Sequence, residues 1–233
     1  MQNETEQARG QDNNNKGNRS HRFLKITESP FFWILFVALA FGIPLTRSLL
    51  KKPVALPPVL AQLTDFSLVN QNNQKVELRD LMGSVVIANF IFTSCPDTCP
   101  LLTGQMAKIQ SRMIRVGPAI KLVSFSVDPT KDTPEVLKAY GEKYHANFKI
   151  WQFLTGSLDQ VKNVLIDGFK VGFDRTGEEL SMMDITHSEM FVIFDQLGQI
   201  RAYKTAKNTE EIDDIVRIVA LLANTKPTPA LAR

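Results

Sequence analysis

Val85-Val86-Ile87-Ala88-Asn89-Phe90-Ile91-Phe92-Thr93-Ser94-Cys95-Pro96-Asp97-Thr98-Cys99-Pro100 is the stretch whose reading decides the fold. Its first eight residues are rich in β-branched and aromatic side chains and lack strict alternation, the pattern of a central strand covered on both faces. They lead into the only two cysteines among the 233 residues. Beyond them, Leu101, Leu102, Met106, Ile109, Met113 and Ile114 recur at helical spacing, and Gly117-Pro118 ends the predicted helix. Positions i and i+4 of a helix share a face. Cys95 and Cys99 therefore converge on one spot if the helix begins between or just before them.

Downstream, the pattern alternates between the two kinds of element. Ile120-Lys121-Leu122-Val123-Ser124-Phe125-Ser126-Val127 reads as a second strand running into Asp128-Pro129. Asp132-Thr133-Pro134-Glu135 opens a helix, with Asp132 or Thr133 as its cap and Pro134 in its first turn. Ile150–Leu154 is a short strand and Leu158–Ile166 a helix, followed by a looser stretch over Asp167–Thr186 with glycines at 168, 172 and 177. Glu189–Phe194 and Ile200–Tyr203 form a hairpin about Asp195–Gln199. Asn208-Thr209-Glu210-Glu211 resembles a capping box ahead of a last helix over Glu210–Leu222. Upstream, Phe66–Val69 and Val76–Leu78 flank Asn70–Gln74 as another hairpin. The expected architecture is a single α/β domain with a central mixed sheet flanked by helices, and the order of strand, loop, cysteines and helix matches the thioredoxin-like plan.

The N-terminal quarter has a different composition. Residues 1–28 are polar and charged, with almost no large apolar side chain before Phe23, and read as a disordered tail. From Ser29 to Thr46 there are 18 residues without a charge, close to the roughly 20 a helix needs to cross a bilayer. The favoured reading of 29–50 is a transmembrane anchor, with Trp33 at an interface. The competing readings are a cleaved signal peptide, for which Ala38-Leu39-Ala40 resembles the cleavage site, and a buried soluble helix. The long polar tail opposes a simple signal peptide. Basic residues flanking the span favour the N-terminus inside, by a small margin. Residues 51–60, with Pro53, Pro57 and Pro58, read as a stiff linker. The expected domain covers 61–226, and 227–233 form a short tail.

Eight of the 27 basic and four of the 24 acidic residues fall in positions 1–52, leaving 19 and 20 for the rest. The remainder of the chain thus has no basic excess to draw nucleic acid, and that class of partner is set aside.

Two thiols four residues apart are too few and too local for the disulfide framework of a small secreted protein. They could be buried structural cysteines, but Pro96, Pro100 and the helix start oppose that reading. A helix N-terminus favours thiolate over thiol, which raises both nucleophilicity and metal affinity. The C-x-x-x-C spacing separates neither chemistry from the other: a disulfide needs only Cα atoms within about 7 Å, and a soft metal needs a third ligand. Of the three histidines, His21 lies in the tail and His145 at the end of a predicted helix, where solvation is the plain reading. His187 stands between Thr186 and Ser188, just before the late hairpin, whose entry faces the cysteine helix in a thioredoxin-like domain. Two thiolates and one imidazole suit Cu(I). Cu(II) would want a further contact, for which Met182 and Met183 lie nearby, although methionines there read better as packing. Zn(II) accepts the same three ligands.

Four stretches together resemble the SCO/SenC copper chaperones of cytochrome c oxidase assembly. They are Phe92–Pro100, Ser126–Pro129 with Asp132–Glu135, Trp151 with Leu154-Thr155-Gly156, and His187-Ser188. The resemblance covers about residues 60–225. It implies a thioredoxin-like domain tethered to the inner membrane by the N-terminal helix and standing on its periplasmic, outer face. It implies copper, as Cu(I) or Cu(II), held by Cys95, Cys99 and His187. The implied partner is cytochrome c oxidase subunit II, with other copper chaperones or thiol reductases as further contacts. The alternative is a thiol–disulfide oxidoreductase that reduces the cysteines of that copper site or of other exported proteins. A peroxiredoxin-like peroxidase shares the fold, but its pattern has Thr or Ser three residues before the reactive cysteine, where this chain has Phe92.

Overall fold

The computed structural model describes residues 30–49, 55–95, 98–113, 119–170 and 190–226. The chain divides between Ala55 and Leu56 into two units.

In the first unit, Pro30–Leu49 forms helix α1, 20 residues long. Apolar side chains are exposed all round it, among them Phe31 at 80 % and Phe41 at 72 %. Thr46 returns its hydroxyl to the carbonyls of Gly42 and Ile43, at 2.8 and 3.0 Å. Among the described residues, no helix is long and apolar enough to cross a membrane. The span expected over 29–50 thus finds no match among the described residues.

The second unit is a mixed α/β layer structure. Its strands are β1 (Ala61–Gln62), β2 (Ser67–Asn70), β3 (Lys75–Glu77), β4 (Val85–Ile91), β5 (Ile120–Ser126), β6 (Trp151–Thr155), β7 (Phe191–Phe194) and β8 (Gln199–Lys204). Its helices are α2 (Leu78–Leu81), α3 (Thr98–Met113), α4 (Pro134–Lys143), α5 (Leu158–Asn163) and α6 (Thr209–Ala223). The strands make one sheet in the order β1-β8-β7-β4-β5-β6-β2-β3. Only β4–β5 and β5–β6 pair in parallel, and β7 lies antiparallel to β4 on its other side.

All seven residues of β4 are buried, as its unbroken run requires of the central strand. Side chains alternate across the sheet, so paired Phe90 and Phe125 lie on one face, where Phe169 packs edge-on at 5.2 and 5.0 Å. On the opposite face Trp151 stacks on Phe153 at 5.0 Å and donates its indole N–H to Ser124, which donates onward to Asn89. Tyr140 of α4 meets Phe153 on that face.

Most of the expected elements are present with small shifts. The Phe66–Val69 hairpin pairs as Leu68↔Val76, its turn held by Asn70, whose Oδ1 accepts from Asn72 and Gln74. The helix expected over 158–166 is α-helical only to Asn163 and continues as a π-helical turn, Val164–Gly168. Asn208 caps α6 by accepting from Glu211 N–H at 2.9 Å; the Glu211 carboxylate turns instead to Thr205 and Lys207 N–H. The end of the proline-rich stretch lies against β8, where Arg201, paired with buried Asp195, also donates to the Pro57 carbonyl.

Candidate metal centre

Strand β4 delivers the chain to the site and helix α3 carries it away. Pairing with β5 continues one residue beyond the strand, with Val127 N–H on the Ile91 carbonyl. The chain then turns, closed by Cys95 N–H donating to Phe92 O at 3.2 Å. Helix α3 begins at Thr98, between the cysteines. Cys95 therefore precedes the helix while Cys99 stands in its first turn. The 3.4 Å contact from Cys99 N–H to Cys95 Sγ brings the two residues together and places Cys95 sulfur on an N-terminal amide of the helix. Cys99 Sγ accepts in turn from Phe92 N–H at 3.4 Å. Both sulfurs are thus aimed at amide donors, which stabilise anionic sulfur.

No disulfide joins the pair, and the surroundings of the two thiols differ. Cys95 is 7 % exposed and Cys99 is fully enclosed. Burial pushes the Cys99 thiol up to about 12, with the negative charges of Cys95 and Asp132 adding to the rise and the Phe92 amide opposing it. Below Cys99, the Thr103 hydroxyl donates to the Cys99 carbonyl at 2.8 Å and so accepts from Tyr140 Oη at 2.9 Å. Burial raises the Tyr140 phenol well above its ordinary range, so this link to α4 stays protonated.

Of the residues the sequence singled out, Cys95 and Cys99 are brought together. His187 lies outside the described residues, as do Met182 and Met183. His145 is exposed just beyond α4, with its backbone at φ 55° and its carbonyl accepting from Gln110, and joins no site. Among the described residues no three metal-ligating side chains converge; the pair of thiols is what the described fold supplies.

Sequence reasoning missed Asp132. It was a possible helix cap, but Thr133 takes that place by accepting from Val136 N–H. Asp132 is fully buried and points back to the cysteine loop, accepting from Thr93 and Ser126. Local pattern gives no signal for this, because Thr93 lies 39 residues earlier. The Thr103–Tyr140 link, across 37 residues, was missed for the same reason.

A family model described as SCO1/SenC matches residues 58–223. Among solved structures, a SCO1/SenC family lipoprotein from Bacillus anthracis is 32 % identical at TM-score 0.62, covering 73 % of this chain and 100 % of its own. BsSco, described as a member of the Sco family of cytochrome c oxidase assembly proteins with a disulfide switch, is 28 % identical at TM-score 0.62, covering 75 % and 100 %. Yeast Sco1 with copper bound is 26 % identical at TM-score 0.54, covering 70 % and 93 %.

Proposed function

The chain belongs to the SCO1/SenC family, and from that premise we propose that it is a metallochaperone of cytochrome c oxidase assembly that carries copper to the binuclear copper centre of subunit II. The observation that carries this reading is the 3.4 Å contact of Cys99 N–H with Cys95 Sγ, which sets two soft sulfur donors at one helix start. Yeast Sco1 holding copper and BsSco belonging to a family of cytochrome c oxidase assembly proteins support copper as the cargo and oxidase assembly as the setting. Cys95 and Cys99 supply thiolates and His187 the imidazole nitrogen. Copper leaves by stepwise exchange, because a three-coordinate site lets an incoming sulfur bind before one of the chain's own departs.

The unequal burial of the thiols, 7 % for Cys95 and 0 % for Cys99, favours a second reading as a thiol–disulfide reductase. The more accessible Cys95 thiolate attacks a partner disulfide and releases one partner thiolate. Cys99 then displaces the other, leaving a Cys95–Cys99 disulfide and a reduced partner. The disulfide switch of BsSco is in keeping with such chemistry.

We assign membrane attachment to residues 29–50, with the copper-binding domain on the outer face of the inner membrane. Support comes from the apolar side chains exposed all round α1 and from the Thr46 hydroxyl satisfied inside its own helix, as a polar group in lipid requires.

The experiment that separates the two readings is oxidase assembly in cells carrying variants of this chain. We expect His187→Ala to abolish copper loading of subunit II as fully as Cys95→Ala. A His187→Ala chain with full assembly activity would overturn copper delivery in favour of thiol reduction.

A further inference from the structure

Where β4 and β5 end side by side, one carboxylate closes the gap between them. Asp132 is 0 % exposed. Its two oxygens accept from Thr93 N–H at 3.2 Å, its Oδ1 from the Thr93 hydroxyl at 2.6 Å, and its Oδ2 from the Ser126 hydroxyl at 2.6 Å. Its own N–H donates to Asp128 O at 2.9 Å, and the next residue, Thr133, caps α4. The carboxylate thus joins the loop after β4, the end of β5 and the approach to α4.

The position of this junction in the chain gives it a consequence for the thiols. Thr93 is the residue at which the loop leaves the sheet, two before Cys95, and its amide no longer has a strand partner. The adjacent amide, Phe92 N–H, is the donor to Cys99 Sγ, and Phe92 O accepts from Cys95 N–H. The peptide between Phe92 and Thr93 is therefore gripped at one end by Asp132 and presents its neighbours to both cysteines. A backbone held on one side by a buried acceptor cannot re-aim its N–H groups without leaving that acceptor unpaired, which is costly in a dry interior.

We propose that Asp132 is a positioning residue for the cysteine pair: by fixing Thr93 it aims the Phe92 amide at Cys99 sulfur and so sets both the metal affinity and the thiol–disulfide potential of the pair. This rests on Cys95 and Cys99 being the working pair proposed above. The Phe92 amide stabilises electron-rich sulfur, whether copper-bound or reduced. Loosening it weakens copper binding and disfavours the reduced pair relative to the disulfide, which lowers the midpoint potential.

The test uses the full chain in detergent with Asp132→Ala, Thr93→Val and Thr93→Ser. Two quantities are read: the Cu(I) dissociation constant by chelator competition, and the Cys95/Cys99 midpoint potential in dithiol buffers. Far-UV circular dichroism checks the fold. Asp132→Ala frees the Phe92 amide, the main influence opposing burial at Cys99, and also lifts the weaker repulsion of the Asp132 charge; the net effect expected is Cu(I) binding weakened at least tenfold. It is also expected to shift the dithiol equilibrium about tenfold toward the disulfide, roughly 30 mV for a two-electron couple. Thr93→Val, which removes one donor and leaves the carboxylate, should shift both in the same direction by threefold or more. Thr93→Ser, which keeps the hydroxyl, should return both to within twofold. If Asp132→Ala does not fold, the Thr93 pair decides. Folded variants with both quantities within twofold of wild type would overturn the proposal, as would a Thr93→Ser chain no closer to wild type than Thr93→Val. A wild-type chain that binds no Cu(I) would count against copper delivery instead, and the potential would still decide the role of Asp132.

Discussion

Cys95 sulfur rests against an amide at the mouth of α3, while Cys99 sulfur is enclosed between Phe92 and the helix. That enclosure governs how Cys99 gives up its proton. Cys99 is raised to about 12, chiefly by burial, so near neutral pH its sulfur is a thiol and a soft metal must displace the proton in order to bind. Below the folded-state pKa, each unit rise in pH increases the thiolate fraction tenfold. Cu(I) affinity is therefore expected to climb by about tenfold per pH unit from this proton alone between pH 6 and 8. Competition titrations at pH 6, 7 and 8 check this; a flat profile would contradict it. At this scale the sequence told part of the story. The i,i+4 spacing made the convergence of Cys95 and Cys99 legible. The unequal surroundings of the two sulfurs were not, because the Phe92 amide and the Asp132 charge reach Cys99 only once the chain has folded. His187 is legible only through its position ahead of the late hairpin and through the family resemblance.

Among elements, those with a strong local signature were readable. β4 announced itself by an apolar run without alternation, α3 by helical spacing after the cysteines, and α4 and α6 by Thr133-Pro134 and Asn208 at their starts. The rest depended on contacts that a sequence window does not contain. β1 is two residues long and exists only because it pairs with Ile200 and Gln199 of β8. The seating of β2 beside β6 is likewise a pairing of distant segments, Val69 with Thr155. The π-helical turn at Val164–Gly168 follows an ordinary apolar pattern and brings Phe169 to the Phe90–Phe125 cluster. Helix α1 is the element whose role is tested most easily. If residues 29–50 insert in the membrane, the full chain stays in the pellet after alkaline carbonate extraction, and a chain starting at Leu56 appears in the supernatant. Full release of the intact chain by carbonate would contradict insertion and leave only peripheral association.

At the scale of the molecule, the fold puts a thiol pair at the C-terminal end of its central strand, where two parallel strands separate and each feeds a helix. Open α/β sheets place ligands at such ends, because the backbone there is free to turn and helix N-termini point inward. The near balance of 19 basic and 20 acidic residues beyond position 52 provides no global field, so partner recognition falls to the surface around the site. The central claim is that this site binds one copper through Cys95, Cys99 and His187. Cu(I) titration of the purified full chain with metal analysis tests it most directly. The account predicts one copper per chain, loss of binding in Cys95→Ala, and at least about a hundredfold weaker binding in His187→Ala. Stoichiometric copper retained at wild-type affinity by both variants would contradict it.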